Sequence, residues 1–324
     1  MKSPFANCDA RLISEPSKVV FRNEEYSYVY RAYECEKTKE RFTTTQLDDV
    51  NTRQVYNQYR EKYGIPFEDE IAKLMDDYGV SASKLSTIMG FGENQIRNYL
   101  DGEIPSKANG KALRMIRSVD VFEKYVESAR CLLSDSSYKK IKQRIDDLKN
   151  EKADPAFEMI FRIEERSIFN GYAAQSTSKL RDIILYALSL LGDTYTTKMN
   201  KILFYIDMLC YRERGVALTG LVYNAQTYGT IPYRYNVIYS ILDIPQTTFY
   251  DNGKEFTPFR LDETPKITTL NEGERNIIER VCQKFRDFTS KEISSANHEE
   301  RAWERYKDTG RPIPFSESFY LKHI

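Results

Sequence analysis

Residues 81–102, Ser-Ala-Ser-Lys-Leu-Ser-Thr-Ile-Met-Gly-Phe-Gly-Glu-Asn-Gln-Ile-Arg-Asn-Tyr-Leu-Asp-Gly, carry the most chemically specific pattern in the chain. Leu85, Ile88 and Met89, then Ile96, Tyr99 and Leu100, predict two short helices on either side of Gly90-Phe91-Gly92. Helices that cross steeply need a tight, glycine-containing turn of this kind. If Ile96 and Tyr99 face inward, then Glu93, Asn94, Gln95, Arg97 and Asn98 face outward. Amide groups suit adenine edges and a guanidinium suits guanine, so this face could read bases in the major groove of DNA. Ser81, Ser83 and Lys84 at the start of the first helix are candidates for phosphate contact. The same spacing also describes a plain helical hairpin with solvated polar residues. Between 81 and 117, Lys84, Arg97, Lys107, Lys111, Arg114 and Arg117 stand against Glu93, Asp101 and Glu103, a net of +3. That excess favours phosphate proximity and DNA as the partner, with Glu93 on the reading face as the counter-argument.

No comparable pattern promises catalysis. His298 would be the natural general base, but the only other histidine is His323. A hydrolytic pair of His298 with Cys210 or Cys282 stays open, although cysteines on apolar helix faces usually pack as small hydrophobes. The chain has no phosphate-cradling Gly-x-x-x-x-Gly-Lys-Ser/Thr loop, no Gly-x-Ser-x-Gly elbow and no His-Glu-x-x-His helix. Five widely spaced cysteines (Cys8, Cys35, Cys131, Cys210, Cys282) suit reduced, mostly structural thiols. Acidic runs at Glu68-Asp69-Glu70, Asp146-Asp147 and Glu164-Glu165 read as solvated helix faces. The expectation is a protein that binds and is not an enzyme, with no catalytic residues, cofactor or metal.

The elements that must position these groups follow from composition and periodicity. A chain of 324 residues suggests two or three domains, and its 41% hydrophobic content is enough for a real core. With 48 basic and 48 acidic residues it cannot wrap nucleic acid by global charge. No apolar run reaches the roughly 20 residues of a membrane span, and the start has no apolar signal core. No membrane contact is expected, and the expected location is cytoplasmic. Residues 1–50 read as strand and turn: Val19-Val20-Phe21, a turn at Arg22-Asn23-Glu24-Glu25, then alternating Tyr26, Tyr28 and Tyr30 running on to Cys35. Helical spacing then predicts segments ending near Gly64, Gly79, Gly90 and Gly102, and one opened by Pro105. Residues 119–170 are charged and helical, with 135–150 expected as a solvated connecting helix and a break at Lys152-Ala153-Asp154-Pro155. Broad apolar stripes from Leu180 to Leu191 and from Met199 to Leu209 must be buried. Asp251-Asn252-Gly253 marks a hairpin, and helices are expected at about 233–242, 271–288 and 298–306. The fold class is therefore mainly α with small β elements (α+β).

Two resemblances add to this reading. Gly90, Phe91, Gly92, Ile96, Tyr99, Gly102 and Pro105-Ser106 fall where the Xre/Cro-like helix-turn-helix of MqsA-type antitoxins has its turn, core and exit residues. Gly92 departs from the Ser or Thr that usually caps that recognition helix. MqsA-type chains also carry an N-terminal zinc ribbon of two Cys-x-x-Cys pairs. Those pairs would fall here at Ser3 and Ala6 and at Cys35 and Thr38, with Cys8 off the spacing. One thiolate in register cannot hold tetrahedral zinc, so the ribbon's shape is expected without its metal.

The C-terminal part resembles the SocA-like Panacea antitoxin domain over about 171–324. Its landmarks are Lys198-Met199-Asn200-Lys201-Ile202-Leu203-Phe204-Tyr205, Leu218-Thr219-Gly220, Tyr228-Gly229-Thr230-Ile231-Pro232, Ser295, His298-Glu299-Glu300, Trp303 and Gly310-Arg311-Pro312-Ile313-Pro314. Thr230 stands where Pro is frequent in that family. The residues themselves read as architecture, with His298 and Trp303 closing the domain through a hydrogen bond and burial. The resemblances imply four regions: a degenerate zinc-ribbon-like β unit (1–50), a helix-turn-helix domain (51–118), a helical connector (119–170) and the Panacea domain (171–324). They imply the antitoxin of a type II toxin–antitoxin pair, which neutralises its toxin by direct binding and autoregulates its operon by binding operator DNA. An alarmone-synthetase-like enzyme is the first toxin to consider. Tyr223, Tyr228, Ile231 and Tyr233 are the candidate toxin contacts, and the assembly is expected to be a homodimer or a toxin–antitoxin hetero-oligomer. The alternative is a prophage-associated transcription regulator or adaptor with a non-toxin partner.

Overall fold

The computed structural model describes residues 1–152, 154–161 and 165–324. Ala153 of the expected break and Glu164 of the acidic pair lie outside the described residues. The fold is mainly α with three small antiparallel sheets among the described residues, in agreement with the class read from the sequence. Contacts divide the chain into two compact units, Met1–Val55 with Asp154–Ile324, and Tyr56–Ala153.

The first unit opens with β1 (Ala10–Phe21), β2 (Glu24–Cys35) and β3 (Arg41–Phe42), antiparallel in that order. Arg22 and Asn23 form the β1–β2 turn with φ of 50° and 65°. Two consecutive positive-φ residues give the hairpin geometry that matches strand twist. β1 starts nine residues before the Val19 at which the alternation becomes visible. It is an edge strand with both faces largely wet, so burial imposes little pattern, and an edge tolerates Pro16. After β3 comes α1 (Thr45–Tyr63). Asn51 and Gln54 of this helix face β2 and mimic a partner strand. Each amide exchanges a pair of 2.9 Å hydrogen bonds with a backbone N–H and C=O, Asn51 at Arg31 and Gln54 at Val29.

The Tyr56–Ala153 unit holds α2 (Glu68–Tyr78), α3 (Ala82–Met89), α4 (Gln95–Leu100), α5 (Lys107–Met115), α6 (Val119–Ser128) and α7 (Asp135–Asn150). Gly79 and Gly90 stop α2 and α3 in the left-handed conformation, while Ser81, Ser106 and Ser134 cap the starts of α3, α5 and α7. One apolar cluster unites the unit: Ile71, Leu74, Leu85, Ile88, Ile96, Leu113, Phe122, Ile141 and Ile145 all contribute. α7 was expected as a solvated connecting helix, but the structure makes it part of this core. Ile141 and Ile145, four residues apart, present one buried face of an otherwise charged helix.

The rest of the first unit comprises α8 (Pro155–Ile160), α9 (Thr177–Leu191), α10 (Thr196–Arg214), β4 (Tyr223–Gln226), β5 (Gly229–Pro232), α11 (Tyr235–Ile241), β6 (Phe249–Asp251), β7 (Lys254–Phe256), α12 (Glu272–Phe285), α13 (Ser290–His298) and α14 (Arg301–Tyr306). α10 is its axis: every residue from Met199 to Tyr211 is buried, because α9, α12, α13, β5 and a 3-10 turn at Phe315–Tyr320 surround it. α13 is an element the periodicity did not predict. Its only large apolar residue is Ile293, yet Thr289 and Glu292 form a complete capping box at its start. No helix among the described residues is long and apolar enough to cross a membrane.

Candidate functional site

Two surfaces and one interior cluster carry polar or aromatic groups able to take part in binding. In the first surface, α3 and α4 are joined by the short turn that the glycines predict. Ser81 accepts from the Lys84 N–H as an N-cap, so its hydroxyl is occupied inside the helix. Ser83 is exposed, and the Lys84 ammonium donates to Ser137 on α7 at 3.1 Å. Glu93, Asn94, Arg97 and Asn98 are exposed, whereas Gln95 is half-buried and donates to Glu103. α4 is anchored by a bond from the Ile96 N–H to the buried Ser86 hydroxyl, and by the Asn109 amide donating to Tyr99 at 2.8 Å. Ser86 is not legible in the sequence, because a serine on a buried helix face gives no periodic signal. The local basic excess is partly spent within the unit, since Arg117 pairs with Glu70 and Lys107 sits over the Tyr63 ring.

The second surface is the β4–β5 hairpin. Its tip is Gln226 to Gly229, and Tyr228 there is 75% exposed. Ile231 and Tyr233 are half-buried. Tyr223 does not belong to this surface, a correction to the expectation. Its ring is wholly buried and its hydroxyl donates to Asp207 at 2.7 Å. Trp303 anchors the tip by donating its indole N–H to the Gln226 carbonyl at 2.8 Å. His298 stacks on Trp303 with centroids 4.1 Å apart, where the sequence led us to expect a hydrogen bond. Burial and the nearby Lys201 push the His298 ring below its ordinary pKa, against a hydrogen bond with the Thr227 backbone that holds it up. Tyr250 on the β6–β7 hairpin is a further exposed aromatic, which the turn signal located without marking it as a contact.

Beneath the hairpin, α10 carries charge into the core. Asp207 is buried and accepts from the Leu218 and Thr219 N–H groups at 2.8 Å each, from the Thr219 hydroxyl and from Tyr223. Burial raises its pKa and these four donors oppose the rise, so this carboxyl is a structural tie. Glu300, also buried, accepts from Tyr205 at 3.2 Å and from the Lys322 and His323 N–H groups, which fastens the C-terminal strand of chain. Lys201 is different. It is 0% exposed, its ammonium has no hydrogen-bond partner, and burial alone pushes it down to about 8. Leaving one such donor unmet costs about 1–3 kcal/mol, and more when it is charged. Lys201 lies in a landmark of the resemblance, yet its role was not legible because the helical period gives no reason to bury a lysine there.

At the N-terminus Ser3 and Thr38 gather at the Cys35 sulfur, and Cys8 joins them. Cys8 lies 3.4 Å from Cys35 between sulfurs, although it is off the ribbon spacing. The Thr38 N–H donates to the Cys35 sulfur at 3.5 Å, and hydrogen bonds with Ser3 and Thr38 hold that thiol down to about 6. Two thiols flanked by two hydroxyls do not make a tetrahedral zinc site. Among the described residues no group of three or more His, Cys, Asp or Glu is placed to hold a metal.

Compared with known families, residues 199–304 match the model described as Antitoxin SocA-like, Panacea domain. The match covers about a third of the chain, from α10 into α14, and includes Lys201, the β4–β5 hairpin, His298 and Trp303. No curated protein and no solved structure matches the chain.

Proposed function

We propose that this protein is an antitoxin that neutralises a toxin by direct binding through its C-terminal region, 171–324, and acts as a binder with no catalytic step. The match of residues 199–304 to the antitoxin SocA-like Panacea domain carries this reading. Within that segment the exposed Tyr228 tip, flanked by Ile231 and Tyr233, supplies the aromatic surface that partner contacts favour. In the same proposal α4 binds operator DNA through Asn94, Arg97 and Asn98, and the complex resides in the cytoplasm. An alarmone-synthetase-like enzyme is the first toxin to try.

The test is growth rescue. Each gene flanking this one is expressed with and without the full-length chain, and a toxic neighbour whose toxicity disappears on co-expression names the partner. Tyr228→Ala should lose rescue while the protein still accumulates. If no flanking gene is toxic, or the full chain relieves none of them, the transcription-regulator reading replaces this one and operator mapping becomes the measurement.

A further inference from the structure

Three stretches far apart in sequence meet under the β4–β5 hairpin. α10 brings Lys201, β5 brings Gly229 and Thr230, and α13 brings Asn297 and His298. Three polar atoms on these stretches, Lys201 Nζ, Thr230 Oγ1 and His298 Nε2, are buried without a hydrogen-bond partner, and Lys201 is near enough to act on the His298 ring. The Asn297 side-chain oxygen is already used, accepting from the Thr230 N–H at 2.6 Å, and its amide nitrogen also reaches the Tyr205 hydroxyl, which leaves one N–H for a ligand. A Cβ on Gly229, whose φ is +99°, would fall 2.6 Å from Asn297 Oδ1, 2.7 Å from Lys201 Cε and 3.2 Å from Lys201 Nζ. The backbone is therefore pressed against the ammonium and the amide together, which only glycine allows.

No carboxylate among the described residues pairs with Lys201, and the two buried acids of this interior are committed elsewhere, Asp207 to Leu218, Thr219 and Tyr223 and Glu300 to Tyr205 and the Lys322 and His323 N–H groups. An apolar side chain would serve a purely structural role better than a buried, uncompensated cation. Strained or uncompensated ionisable groups gather where a protein binds or reacts.

We propose that Lys201, Asn297, Thr230 and His298 form a site for a small oxyanion, a phosphate or a carboxylate, closed over by the tip of the β4–β5 hairpin. The ammonium supplies the charge, the Asn297 amide and Thr230 hydroxyl supply directed donors, and the His298 ring edge closes the fourth side. Exchange with solvent requires Gln226–Gly229 to lift, a motion held by the Trp303 bond to the Gln226 carbonyl and by the stacking of Trp303 on His298. The site stands apart from the toxin reading, since it is measured on the purified chain alone.

The experiment is thermal unfolding of the full chain in a chloride buffer of constant ionic strength, with sodium phosphate or sodium acetate replacing chloride. A ligand that binds only the folded state raises the midpoint in a saturable way. The parent midpoint is expected to climb and saturate with at least one of the two anions, and Lys201→Met should not respond. A response to phosphate alone assigns a phosphoryl group, and a response to acetate alone assigns a carboxylate. Equal responses of parent and Lys201→Met, or none in the parent, overturn the site. Should Lys201→Met not fold, calorimetric titration of the parent and of Thr230→Val carries the test. The isosteric loss of the hydroxyl should weaken the anion about tenfold or more. Unchanged affinity in Thr230→Val, or no saturable binding by the parent, overturns the proposal.

Discussion

The interiors of the two units are built on opposite plans. Around Leu85, Ile96, Leu113 and Phe122 the core of the Tyr56–Ala153 unit is apolar apart from the Ser86 hydroxyl, and most of the unit's polar residues sit on wetter helix faces. Around α10 the core of the other unit takes in Asp207, Lys201, Asn200, Asn297 and Glu300. An apolar core tolerates change wherever volume is kept, whereas a buried polar network is satisfied in one arrangement only. The first plan leaves the unit's polar chemistry mostly on its surface, as with Asn94, Arg97 and Asn98 at α4. The second keeps specific chemistry inside, where one missing partner is costly.

The largest expected effect tests whether that interior network holds its unit together. Asp207→Ala leaves the Leu218 and Thr219 N–H groups and two hydroxyls without their acceptor. Losing about 3–5 kcal/mol is expected for breaking a buried charged tie of this kind. Hydrogen exchange should show α10 amides losing protection accordingly. If α10 stays protected, the network is decoration on a core that apolar packing already secures. In the other unit, Ile96→Ala removes a fully buried side chain and should cost about 2–4 kcal/mol, read as lost protection in α4. A smaller loss would mean that the apolar core collapses around the gap more readily than its packing suggests.

Lys201 sharpens the comparison because its substitution should act in the opposite direction. Replacing an uncompensated buried cation by an apolar side chain of similar length, Lys201→Met, should raise stability by about 1–3 kcal/mol in buffer without phosphate or carboxylate. The pH dependence follows from the depressed folded-state pKa of about 8 against an ordinary value of 10.5. Between these values the unfolded chain holds the proton and the folded chain has released it, so parental stability rises with pH across that window. Below about 8 both states are protonated and the burial penalty is constant. Urea midpoints of the parent should therefore climb from pH 8 towards 10.5 more steeply than those of Lys201→Met. Identical slopes would mean that Lys201 titrates like an exposed lysine.

How much of this was readable in the sequence divides along the same line. Helical spacing and glycine stops gave α2, α3 and α10 and their inner faces, since an apolar core writes its period into the chain. The Asp251-Asn252-Gly253 signal gave the β6–β7 hairpin. Polar interiors write no period. Asn51 and Gln54 pairing with β2, Ser86 anchoring α4, and Lys201 meeting Asn297 across 96 positions of sequence depend on tertiary placement. The α13 helix was missed for a related reason. Small residues bury it against α10, and its capping box was the one local signal.

The smallest expected effects on stability fall on the two surfaces, and there the comparison becomes functional. Tyr228 is exposed at a hairpin tip and Arg97 is exposed on α4, and Arg97 has no ion pair among the described residues. Truncating either should change stability by less than about 0.5 kcal/mol, because neither lies among the burial, capping or pairing features that carry large effects. If the division of labour proposed here is right, Tyr228→Ala abolishes rescue from the toxin and leaves operator retention in a gel-shift assay unchanged. Arg97→Ala with Asn94→Ala does the reverse. DNA binding through α4 should also weaken steeply as salt rises, because phosphate neutralisation releases counterions. Loss of both functions in either variant, at unchanged stability, would show that partner and DNA are recognised by one surface, and the contrast between an informative surface and an informative interior would then fail at its functional end.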